Sequence, residues 1–124
     1  MHIVRGADAP QFELPGVRFT GLASPSRGSA ELCAWQLTVA PGLNSPEPHT
    51  IDHDEIFVVL SGTIRLSPEG ELAGPGDAVV VPAGEPIQVA NPGAEPARVL
   101  VAIRAGFTAK AADGSDLGTP PWAL

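Results

Sequence analysis

Apolar residues along this chain alternate with polar ones or gather in short runs closed by Gly and Pro, and over no long window do they recur at helical spacing. Strands joined by turns are predicted. Cys33, Trp35, Leu37 and Val39 share one face of a strand, with Ala34, Gln36 and Thr38 on the other, and Pro41-Gly42 ends it. Ile56 to Leu60 is apolar on both faces, as in a strand between two layers, and Ser61-Gly62 turns it into Thr63 to Leu66 as a predicted hairpin. Further strands are predicted at 71–73, 78–81, 87–90 and 98–104, separated by turns rich in Pro, Gly and Asn. The pattern predicts one antiparallel, all-β body with little helix. The leading segment to about Arg18 reads as an extended arm crossing a neighbouring sheet or subunit. The tail from Thr108 to Leu124, interrupted by Gly114, Gly118 and Pro120-Pro121, reads as extended and anchored by Trp122.

Composition narrows the functional classes. A length of 124 residues fits a single domain, and 44% hydrophobic against 17% charged residues supplies enough apolar surface for one core. The net charge of -7 opposes binding to nucleic acid and to anionic membrane surfaces. Cys33 is the single cysteine, which removes intrachain disulfides and multi-cysteine zinc sites and leaves a cytoplasmic location as the expectation. Apolar runs such as Val99 to Ile103 fall far short of the roughly 18 residues that span a membrane, and the first ten residues lack a signal-peptide apolar region. Tyr is absent, so no mechanism can use a phenol.

Candidate chemistry concentrates between Pro46 and Phe57. His2 lies in a terminal segment, leaving His49 and His53 in an organised one, and the prolines and β-rich flanks make their four-residue spacing an extended segment and not a helical metal pair. With a side-chain period of two, His49, Ile51, His53 and Glu55 fall on one face. Same-face neighbours on a strand lie about 6.6–7 Å apart, which lets side chains converge on one ion. Trp35, Ile51, Phe57 and Ile87 are candidates either for lining an apolar cavity or for filling a small barrel. Cys33 shares its face with Trp35 and reads as a buried, inert thiol.

Two spaced motifs carry a family resemblance. Gly42, His49, Glu55 and Gly62 match a pattern of Gly, five residues, His-x-His, three or four residues, Glu, six residues, Gly, with one extra residue between Gly42 and His49. Gly76, Pro82, Gly84 and Asn91 match Gly, five residues, Pro-x-Gly, two residues, His, three residues, Asn. The chain resembles a small single-domain cupin of the RmlC-like jelly-roll superfamily. That resemblance implies a double-stranded β-helix over residues 1–124, with its barrel core at about 30–105 between an N-terminal arm and an extended tail. In family members that bind a metal, the two His and the Glu of the first motif and the His of the second are the ligands. Here His49 and Glu55 occupy two of those positions, while Ile51 and Ile87 occupy the others, and isoleucine cannot coordinate.

The expectation is therefore a small-molecule-binding cupin with a degenerate metal site and no required cofactor. Its ligand pocket would contain Trp35, His49, Ile51, His53, Glu55, Phe57 and Ile87. One alternative is a metal-dependent oxygenase or isomerase acting on a small substrate, with His49, His53 and Glu55 as a shifted ligand set for zinc, iron, manganese or nickel. Another is metal-free acid–base catalysis, with His49 or His53 moving a proton and Glu55 orienting the imidazole. Small cupins commonly dimerise through their sheets, and the outward faces of Ile56, Val58 and Leu60 suit a homodimer interface.

Overall fold

The computed structural model describes Met1 to Leu124 and contains nine strands. They are β1 (Gln11–Leu14), β2 (Val17–Ala23), β3 (Leu32–Val39), β4 (His49–Ile51), β5 (Glu55–Ser61), β6 (Ala78–Val81), β7 (Ala97–Arg104), β8 (Ala109–Ala111) and β9 (Asp116–Gly118). Six form one sheet in the order β1-β2-β3-β7-β5-β6, and three form a second in the order β4-β8-β9. Every pairing is antiparallel. Helix is confined to single 3-10 turns, among them Pro121–Ala123. This is the expected all-β jelly roll with little helix.

Alternation sets the inner face. Cys33, Trp35, Leu37 and Val39 of β3 are buried, as are Ala97, Val99, Val101 and Ile103 of β7 and Glu55, Phe57 and Val59 of β5. Register lines them up in rows, Cys33–Ile103–Glu55–Val81 and then Trp35–Val101–Phe57–Val79. From the opposite layer Ile51, Ile64, Leu66, Ile87 and Phe107 close one core.

Two departures from the sequence reading stand out. The predicted hairpin between Ile56–Leu60 and Thr63–Leu66 does not form, because β5 hydrogen-bonds to β6 and β7 instead. Gly62 adopts φ +74°, and a Cβ there would lie 2.7 Å from both Ala97 Cα and Pro96 O. This left-handed turn, packed against the start of β7, throws the chain across to the second layer. There Ile64 bridges Ala73 and Arg65 bridges Ala90, single contacts that Pro68, Gly74, Pro86 and Pro92 keep from growing into ladders. The leading segment is no loose arm beyond Pro10: β1 and β2 form a hairpin that extends the large sheet next to β3. The tail is extended as expected, and its β8 pairs with β4 on one side and β9 on the other, completing the small sheet.

Candidate functional site

Glu55 opens β5 on the barrel's inner face and is 2% exposed. Its cross-strand neighbours are Val81 and Ile103, with Cys33 one strand further on, so no cation shares its row. Its Oε2 has no hydrogen-bond partner. Burial pushes the carboxyl up to about 8, which leaves Glu55 a neutral acid at pH 7. Burial also pushes the Cys33 thiol up, only partly opposed by Arg27, and its Sγ donates to the Ala123 carbonyl. That is the expected inert thiol.

His49 begins β4 and is half-buried. Its backbone exchanges both hydrogen bonds with Ile87, at 3.0 and 2.8 Å. Burial holds the imidazole below its ordinary value, so it is neutral at pH 7. His49 also borders an open depression of about 230 Å³, together with Pro48, Thr50, Pro86, Lys110 and the turn that follows β8. Lys110 is the chain's single lysine, and sequence reasoning passed over it because nothing in the tail's pattern indicated pairing with β4.

His53 is partly exposed, its side chain at 30%, where the extended segment bends at Asp52 and His53 between buried Ile51 and Glu55. Asp52 causes this bend: its carboxylate accepts from Thr108 N at 2.8 Å and Thr108 Oγ1 at 3.0 Å. His53 Nδ1 lies 2.7 Å from the same carboxylate. Burial alone would raise the Asp52 pKa, but the hydrogen bonds of His53 and Thr108 outweigh it and hold the carboxyl below its ordinary value. His53 thus belongs to a rim network.

Trp35, Ile51, Phe57 and Ile87 pack into the core, at 3%, 7%, 4% and 1% exposure. Nowhere do three or more His, Cys, Asp or Glu side chains gather in reach of one ion, so His49, His53 and Glu55 are not brought together as a set. Ile51 and Ile87 place hydrocarbon where the family pattern has imidazoles. Two protein donors do not fit a resident transition ion, which takes at least three protein ligands in typical sites.

No curated protein matches the chain. Among solved structures, the polyketide cyclase RemF from Streptomyces resistomycificus superposes with a TM-score of 0.74 at 19% identity, covering 98% of this chain and 88% of that one. KdgF from Halomonas sp. gives 0.67 at 22% identity, covering 84% and 94% of the two chains. A cupin-superfamily sugar phosphate isomerase from Silicibacter pomeroyi gives 0.66 at 24% identity, covering 89% and 81%. These likenesses establish the fold. The cupin-domain family model matches residues 35–103, more than half of the chain and every strand and bend from Trp35 through His49 and Glu55 to Ile87, so this protein belongs to the cupin family.

Proposed function

We propose that this cupin binds a small molecule without a resident metal, admitting it where His49 borders the depression between β4 and the turn after β8. The carrying observation is the meeting of a neutral, half-buried imidazole with an open concavity. The isoleucines at 51 and 87 support the metal-free part of this reading. Solved structures sharing the fold include proteins named as a polyketide cyclase and a sugar phosphate isomerase, both of which act on small molecules.

The test combines elemental analysis of untagged protein with a screen of small hydroxy acids and carbonyl compounds by 1H–15N shift mapping. Expected are substoichiometric transition metal and a ligand whose shifts cluster at residues 48–50 and 110–114, persist in EDTA and vanish in His49→Ala. Stoichiometric zinc, iron, manganese or nickel that is lost in His49→Ala would overturn the reading.

One observation favours a second reading, metal-free acid–base catalysis. Burial keeps the His49 imidazole neutral where it borders the depression, the form in which it can accept a proton from a bound ligand. We also propose a homodimer formed through the outer face of the large sheet, where Ile56, Leu60 and Val80 are 41%, 45% and 61% exposed.

A further inference from the structure

Five of the six aromatic side chains form one cluster, and Trp122 is its hub. Its indole stacks on Phe19 with centroids 3.7 Å apart and planes 14° from parallel, and it meets Phe12 at 6.3 Å and Trp35 at 6.5 Å, both at steep angles. Phe12, Phe19 and Trp35 are fixed by the β1-β2-β3 ladders. Trp122 is not. Past β9 the chain enters no ladder, and it is attached to the sheet by the burial of Ala123, at 1% exposure, and by side-chain hydrogen bonds to main-chain oxygens. Arg27 donates to the Trp122 carbonyl, Ser24 Oγ donates to the Leu124 main-chain oxygen at 2.7 Å, Ser26 Oγ reaches the same oxygen, and Cys33 Sγ donates to the Ala123 carbonyl. Three walls fixed by strand pairing thus hold a flat bicyclic ring that arrives on a segment outside the sheet ladders.

The rim of this slot carries a second signal. Arg27 takes part in neither ion pair of the fold, and its Nε is buried without a hydrogen-bond partner while Nη2 is spent on a neutral carbonyl. A guanidinium offers a planar fork that matches a carboxylate, and here one arm of the fork is idle. The hydroxyls of Ser24 and Ser26 likewise hold a single acceptor, the Leu124 main-chain oxygen, that another acceptor could replace.

We propose that Phe12, Phe19, Trp35 and Arg27 form a binding site for a flat aromatic carboxylate, and that Trp122 occupies it as an internal stand-in. The ligand's ring takes the place of the indole. Its carboxylate takes Arg27 and the serines, and the tail swings out. Self-occupancy reduces apparent affinity by the fraction of time the slot is free, so removing the indole tightens binding.

The experiment titrates the full chain with 2-naphthoate by calorimetry, following both indole N–H signals by NMR. Wild type is expected to bind with the Trp122 signal moving to its solvent-exposed position. Trp122→Ala should bind about tenfold or more tightly and Arg27→Gln about tenfold or more weakly. Cyclohexanecarboxylate and 2-naphthylmethylamine, which lack the flat ring and the negative charge respectively, should not bind. If Trp122→Ala binds 2-naphthoate and wild type does so at no concentration, Trp122 is a permanent wall and the proposal fails. It fails equally if neither binds, or if the amine binds as well as the acid. Should Trp122→Ala not fold, Thr119→Val removes the tail's hydrogen bond to the Phe107 carbonyl without touching Arg27, the serines or the aromatic walls, and must tighten binding over wild type.

Discussion

The buried acid makes this protein's stability depend on pH in an unusual direction. Glu55 has an ordinary value of 4.5 and a folded value of about 8. Between those values the folded state keeps a proton that the unfolded chain has released, so unfolding sheds a proton and rising pH favours it. The contribution is fully present below pH 4.5 and is lost as pH climbs through 8. At roughly 1.4 kcal/mol per unit, the whole excursion is worth about 5 kcal/mol, with about 3 of that already lost at pH 7. Against a total stability of about 5–15 kcal/mol for a domain, that is a large share. Glu55→Gln keeps the shape and removes the proton equilibrium. Urea unfolding followed by tryptophan fluorescence, at steps between about pH 5 and 9 and constant ionic strength, should show wild type falling by several kcal/mol while Glu55→Gln loses that fall and keeps only the rise that His49 contributes toward pH 6.5. The variant comparison isolates this group from His49, whose lowered value works in the opposite sense near its ordinary 6.5. Parallel curves for the two proteins would refute the argument, since they would mean Glu55 titrates alike folded and unfolded.

Other substitutions probe the remaining features. Ile51→His/Ile87→His returns imidazoles to the two empty ligand positions, and nickel should then raise the variant's stability by about 2.7 kcal/mol at a hundredfold excess over Kd, with no effect on wild type and full reversal by EDTA. Gly62→Ala meets Ala97 Cα and Pro96 O at 2.7 Å in a left-handed turn and should cost at least about 2 kcal/mol in chemical denaturation. Ile56→Lys on the outer face should leave the fold intact and convert the dimer to a monomer by light scattering, whereas an unchanged mass would count against that interface.

The sequence made most of the large sheet legible, because a strand with one buried face writes its period into the chain: Cys33 to Val39 showed its inner residues directly. The glycines of both motifs likewise marked turns that only φ above zero can make. Pairing partners were harder to read. Nothing local to Thr63–Leu66 indicates that Gly62 sends it to the opposite layer, since the reason is the approach of Ala97 and Pro96 from far along the chain. The candidate site was legible in its residue types and less so in its geometry. Glu55 and His49 were identified, but the bend at Asp52 and His53 is held by Thr108, 56 residues beyond Asp52. Lys110 and Arg27 gave no sequence signal because their surroundings are assembled from distant segments.

The reciprocal main-chain bonds between His49 and Ile87 carry a consequence for engineering. Because the two backbones clamp each other, whatever group stands at 87 is delivered to a fixed address opposite 49 without any redesign of the scaffold. The barrel therefore behaves as a chassis with interchangeable fittings: hydrocarbon, imidazole or carboxamide can be installed at that address, and new reactivity follows from the choice of fitting alone.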